Sequence, residues 1–393
     1  MNVDTLIVGA GFSGSVIARL LAENTKQKIL VIDSRDHIGG NCYDYVNKFG
    51  IRISKYGAHL FHTTRQDAWN FISAFGRWER WEHKVLAKIY PRDVSDHCIY
   101  VPVPICIKSV QNLYDSSVQS EDDIRRWFAE ETKAVKFQAP YKNSMESAVA
   151  RFGNRIYNDF FHSYTFKQWG KFPEHLDASV LERIPIRYNN DDRYFTDPIQ
   201  MLPSGGYTEV FDQLLDHPQI EVSLNTDYFH ERHCFNGVNF TVFTGPIDGY
   251  FASRGLDRLE YRSIHFEEFT FEMEDRDAVI QPASVVNEPS MRVPYTRIVE
   301  FKQFLNQQSP YSTLVREFST SNGDPYYPVP NERNTKLYAI YQQLAEKETV
   351  KERRKVLFLG RLANYKYLNM DQAIGNALDH WQQWIKDGMI KIH

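Results

Sequence analysis

Apolar positions follow two different periods along this chain. Leu6, Ile7 and Val8 form a short unbroken run, the pattern of a strand covered on both faces. Behind it Val16, Ile17, Leu20 and Leu21 recur at helical spacing, and "KILVID" predicts a second strand. The other end repeats the pattern. Val356, Leu357, Phe358 and Leu359 predict a strand, and Ile374, Leu378, Trp381 and Trp384 predict the core face of a helix that Asn369 or Asp371 would cap. Between these ends, residues 108–175 carry helical patterning and charge, as in "SEDDIRRWFAEETKAV". Runs such as "IHFEEFTFEM" and "YTRIVEFK" alternate as antiparallel strands do. The expected fold is α/β in three parts. A Rossmann-like domain is built from 1–80, 203–248 and 350–393. A small helical domain spans 108–175, and an antiparallel β-sheet domain takes 81–107, 176–202 and 249–349.

Composition narrows the function. The 393 residues are 42% hydrophobic, enough for several cores, and carry a formal charge of −4. That balance and the lack of basic runs argue against nucleic acid or a membrane surface as partner. Four cysteines (Cys42, Cys98, Cys106 and Cys234) show no metal or disulfide spacing, and no apolar run reaches membrane-spanning length, so a reduced, cytoplasmic protein without a bound metal is expected.

The first strand and helix are joined by Gly9, Gly11 and Gly14, a GxGxxG match. Gly9 suits the tight turn, Gly11 the approach of a pyrophosphate, and Gly14 the packing of helix on strand. Asp33 ends the second strand, where a carboxylate reaches ribose hydroxyls. Arg35 followed by Gly39 and Gly40 resembles the extension of two-dinucleotide-fold flavoproteins, which favours FAD over NAD. Phe12, Ser13, Ser34, Asn41, Gly360, Met370 and Asp371 complete the expected cofactor contacts. Arg361 fits a phosphate partner and a surface ion pair about equally well.

Seven strings carry a more specific signal: "YGAHLFHT", "FFHSYTFKQWG", "RIPIRYNNDDRYF", "TGPIDGYF", "VPYTRIVEFK", "DPYYPVP" and "GRLANYKYLNMD". In this order, over essentially the whole chain, they resemble the prokaryotic-type UDP-galactopyranose mutases. The resemblance implies interconversion of UDP-galactopyranose and UDP-galactofuranose. It also implies FAD that is active only when reduced, with flavin N5 as nucleophile at the anomeric carbon and no net redox change. NAD(P)H or a reductase would donate the electrons, and a homodimer is expected.

By the same resemblance Arg183, on a mobile loop, and Arg297, on a strand, clamp the diphosphate, a task suited to guanidinium forks. Tyr194, Tyr327 and Tyr367 add hydroxyls there. Trp169 faces sugar and flavin, and Phe160, Phe161, Tyr164 and Thr165 form the uridine pocket. One of Phe160 and Phe161 is expected in the core, because neighbours on a helix point about 100° apart. His59 goes to the flavin edge. His62 goes to the sugar side or to a structural role. Tyr367 and Asn369 are expected to touch cofactor as well as substrate. The chain departs from the family pattern at Asp33, usually Glu, at Asn369, often Asp, and at His83, Asn in some members and assigned here to the substrate. The hairpin over "YPRDVSDHCIYVPVP" is longer than usual. Two rival readings stand beside this one: an FAD-dependent oxidoreductase of the amine oxidase or desaturase type, and a flavin-free binding protein resembling the GDP-dissociation inhibitors.

Overall fold

The computed structural model describes residues 3–91, 97–351 and 354–392. Part of the long hairpin, 92–96, lies outside the described residues. Thr5–Val8 is the centre of a five-stranded parallel sheet. On one side it pairs with Ile29–Ile32, which pairs with Ile220–Ser223. On the other it pairs with Phe240–Phe243, which pairs with Lys355–Phe358. Helix Phe12–Asn24 packs across this sheet beside helix Met370–Lys386, whose Ile374, Trp381 and Trp384 are buried as their spacing predicts. Asn369 caps the second helix in a capping box with Gln372, whose side chain accepts the Asn369 N–H at 2.9 Å.

The second sheet has seven strands, in the order Tyr327–Pro328, Tyr261–Glu272, Tyr311–Thr320, Arg297–Glu300, Val285–Asn287, Val85–Ile89 and Ile99–Val103. It is antiparallel except where Val285–Asn287 runs parallel to Val85–Ala87. Ile199–Pro203 joins a separate three-stranded sheet with Phe61–Thr63 and Trp78–Arg80. That sheet brings "LFHT" beside "YFTD".

The helical part contains Ile107–Leu113, Glu121–Thr132, Ser144–Ile156 and Ser163–Trp169. Its last two helices are joined by a π-helical turn, Tyr157–His162. Here the expectation for the two phenylalanines fails. Phe160 and Phe161 are both buried in the helical core, because strand Val85–Ile89 packs on the turn in addition to the helices on either side of it. Among the described residues no helix is long and apolar enough to cross a membrane.

Candidate functional site

A cavity of about 350 Å³ opens at the carboxyl ends of the central parallel strands, where such sheets bind ligands. Gly9, Gly11, Phe12, Ser13, Asp33, Ser34, Arg35, Gly39, Gly40, Asn41, His59, Gly360, Arg361, Asn369 and Met370 line it. Gly14, Tyr367 and Asp371, expected in the same group, do not. Gly14 lies behind the wall, and a Cβ there would sit 2.0 Å from the Gly9 carbonyl oxygen. The turn itself needs glycine: Gly9 has φ +109°, and a Cβ there would sit 2.1 Å from Thr244 Oγ1. Asp33 spans the turn, accepting the Ala10 N–H at 2.9 Å and the Arg35 N–H at 3.0 Å. Its shorter arm is thus held by backbone on both sides. The Arg35 guanidinium donates to Asn41 at 2.9 Å and pairs with Asp324 at 3.3 Å.

The two readings of Arg361 meet a third arrangement. Its guanidinium donates to the backbone carbonyls of Leu368 and Tyr326, and pairs with no carboxylate among the described residues. It is thereby fixed at the cavity wall, over the rings of Tyr327 and Tyr367.

Next to this wall a second constellation gathers residues from distant parts of the chain. Tyr327 and Tyr367 stack at 5.3 Å, and Arg183 lies 4.8 Å over the Tyr367 ring. Arg183 follows the short helix Ser179–Glu182 and donates to the Val180 carbonyl at 3.2 Å. Arg297 begins its strand and donates Nε to Glu317 at 2.6 Å. Tyr164 and Tyr194 complete the group. Three guanidinium groups thus face four phenols, with Glu317 the buried carboxylate beside them. The charges act on the phenols. Burial pushes Tyr367 up, but Arg183 and Arg361 more than offset it and leave this phenol below its ordinary value. Burial, with Tyr367 alongside, raises Tyr327 to about 12. Burial opposes the Arg297 charge, yet Glu317 holds that guanidinium above its usual range. Arrangements of this kind suit an anion with several oxygens.

His62 and His83 sit on the other flank. His62 Nδ1 lies 2.9 Å from Asp197, its Nε2 lies 3.5 Å from the Asn369 amide nitrogen, and its ring stacks on Phe195 at 3.6 Å. His59 Nδ1 lies 2.8 Å from the Gly57 carbonyl, and burial lowers its pKa to about 4. His83 is buried among Tyr194, Phe195 and Phe304, and its Nδ1 has no partner among the described residues. Burial first, then the charge on Arg297, lowers His83 to about 3. Trp169 and Thr165 are buried and, like Phe160 and Phe161, do not line the large cavity.

His83 makes a stability prediction. The unfolded chain takes up its proton near pH 6.5, the native chain only near 3, so stability is fully present above about 6.5 and falls as acid is added. The slope is about 1.4 kcal/mol per pH unit for one proton. Melting curves from pH 7.5 to 4.5 should show this loss, and His83→Phe should make it shallower. An unchanged slope in that variant would remove His83 as a cause.

Several wall residues carry no sequence signal of their own. Thr226, Asp227, Tyr228 and Phe229 reach the rim because Asp33 and Arg35 carbonyls accept the Thr226 and Asn225 N–H groups. Glu317 is visible only once its strand pairs with that of Arg297.

Residues 159–367 match the family model for UDP-galactopyranose mutase, and residues 7–75 match one for an NAD(P)-binding Rossmann-like domain. The chain is 36% identical to dTDP-fucopyranose mutase from Escherichia coli, over 97% of this chain and 98% of that one. It is 34% identical to a probable UDP-galactopyranose mutase from Klebsiella pneumoniae, over 96% and 93%. A crystal structure of reduced UDP-galactopyranose mutase shares the fold, with a TM-score of 0.74 at 16% identity over 98% of this chain and 94% of that one.

Proposed function

This chain belongs to the UDP-galactopyranose mutase family, and we propose that it is an FAD-dependent isomerase that interconverts UDP-galactopyranose and UDP-galactofuranose. The observation that carries the reading is the convergence of Arg183, Arg297 and Arg361 on stacked tyrosines beside a dinucleotide cavity.

The cavity fits FAD by shape and charge. Gly11 and Gly40 face each other so closely that a Cβ on Gly40 would lie 3.1 Å from the Gly11 Cα, which keeps the diphosphate path free of side chains. Asp33 serves the ribose, the start of helix Phe12–Asn24 the phosphates, and His59, Arg361 and the capped start of helix Met370–Lys386 the ring end. Reduced flavin, when bound, supplies the nucleophilic nitrogen for exchange at the anomeric carbon. The protein's own residues supply the rest. Arg183 and Arg297 hold the nucleoside diphosphate as it leaves and keep it near for return. Tyr194, Tyr327 and Tyr367 donate hydrogen bonds without further charge. His59, neutral and with Nδ1 turned to the Gly57 carbonyl, leaves Nε2 to accept a hydrogen bond without placing another cation beside the guanidiniums.

The experiment is direct. Purified protein should be yellow and should convert UDP-galactofuranose only after dithionite or NAD(P)H reduction, as read by separating the nucleotides chromatographically. Equal activity with oxidised flavin would reject the reading, and oxygen consumption on turnover would favour the oxidoreductase alternative. The 36% relative that acts on a dTDP-sugar motivates a parallel assay with dTDP-fucopyranose. Conversion of that compound alone would reassign the substrate and keep the enzyme class.

A further inference from the structure

We propose, building on the nucleotide-sugar reading, that Lys167 is a positioning residue: its ammonium group fills the loop of the hairpin that presents Arg297 and so fixes that guanidinium relative to the helix carrying Trp169. The strands Val285–Asn287 and Arg297–Glu300 pair antiparallel, with Asn287 opposite Arg297. Residues 288–296 form the connecting loop. Lys167 enters this loop from the helix Ser163–Trp169, and its Nζ donates to four backbone carbonyls: Glu288 at 2.5 Å, Ser290 at 2.8 Å, Tyr295 at 2.8 Å and Val293 at 3.3 Å. Three N–H groups meeting four carbonyls leave the ammonium solvated by one loop alone, in the way a pocket of carbonyl oxygens holds a cation.

A lysine on a helix normally keeps its charged end in water. Here the residue is 8% exposed, and burial lowers its pKa to about 8 against the pull of Glu288. Desolvating a cation at this point is costly unless its donors are satisfied, and the loop satisfies them. The loop is also tied to the far side of the site. The Glu317 carbonyl accepts both the Thr296 N–H at 2.8 Å and the Thr296 hydroxyl at 3.0 Å, while the Glu317 carboxylate holds Arg297. A shift of residues 288–296 is therefore a shift of Arg297.

The helix end is clamped from the opposite direction. Arg262 donates Nε to the Gln168 carbonyl at 3.0 Å and reaches the Lys167 carbonyl at 3.5 Å. Gly170, with φ +67°, leaves room for it, since a Cβ there would lie 2.8 Å from the Arg262 Nη1. "KQWG" thus reads as a staple, a carbonyl anchor, a ring and a gap. Its lysine joins the helix of Trp169 to the strand that begins at Arg297.

The test is a double-mutant cycle on UDP affinity, with Arg297→Ala as the second site. K167M should bind UDP about tenfold more weakly than wild type, and K167M/R297A should bind it no more weakly than R297A alone, because the two residues act through one guanidinium. Bound flavin per protein should stay at the wild-type level in K167M. If K167M does not fold, K167R, which keeps the charge but sets a wider, planar guanidinium where the loop closes around a tetrahedral ammonium, carries the same expectation. Unchanged UDP affinity, or a loss that adds fully to that of Arg297→Ala, would overturn the role and leave Lys167 as packing. If UDP fails to bind the wild type at all, the nucleotide-sugar reading itself falls.

Discussion

Replacing Arg297 with alanine should lower kcat/KM for UDP-galactofuranose by about 10- to 10⁴-fold, because one or two charge-assisted hydrogen bonds to phosphate are worth about 1.5–3 kcal/mol each. The flavin should remain bound, since Arg297 does not line the dinucleotide cavity. The substitution has a second consequence. Glu317 is 2% exposed, and its Oε1 has no partner among the described residues even in the intact protein. Without the guanidinium at 2.6 Å it becomes a buried carboxylate with no cation, so stability should fall by several kcal/mol. Adding Glu317→Gln should recover much of the melting temperature and none of the turnover. Recovery of both would place Arg297 in the scaffold and outside the chemistry. Near-normal turnover in the single variant would remove it from the clamp.

Gly14→Ala should give a colourless and poorly folded protein. The new Cβ would lie 2.0 Å from the Gly9 carbonyl oxygen and 2.9 Å from Ile7 Cγ2, and the first of these is backbone that cannot rotate away. Helix Phe12–Asn24 would have to lift from strand Thr5–Val8 just where both meet the cavity. The strain belongs at the upper end of overpacking costs, about 3 kcal/mol, and distorts the turn that approaches the cofactor phosphates. Absorbance at the flavin band relative to protein, together with a melting curve, reads both effects. Gly237→Ala is the control, because a Cβ there meets nothing within 4 Å. A Gly14→Ala protein that keeps its colour and its melting temperature would show that the helix has slack the distances deny.

The difference between these two sites explains what could be read beforehand. Gly9, Gly11, Gly14 and Asp33 act on one another within a single strand–turn–helix–strand unit, so their spacing alone carries the meaning. The arginines and tyrosines lie on separate elements, and only whole strings such as "VPYTRIVEFK" marked them. Lys167 lay within one such string, "FFHSYTFKQWG", but no role of its own was legible there. Its four acceptors are backbone carbonyls more than a hundred residues away, and any residue type can present a carbonyl. Glu317 was hidden in the same way, within a strand where a charged residue reads as a solvent face. Phe160 and Phe161 misled because helical spacing does not reveal how many neighbours cover a turn, and this one is packed on more than one side.

The order of the parallel sheet bears on how the protein is made. Its strands come from the beginning, the middle and the last tenth of the chain, with Lys355–Phe358 on the edge. The cavity wall is likewise unfinished until Gly360, Arg361, Asn369 and Met370 are in place. A growing polypeptide on the ribosome therefore has no complete berth for a dinucleotide until strand Lys355–Phe358 and the wall residues up to Met370 have been synthesised. Capture of the dinucleotide must follow the emergence of these residues, and nascent chains stalled before residue 355 should be unable to retain it.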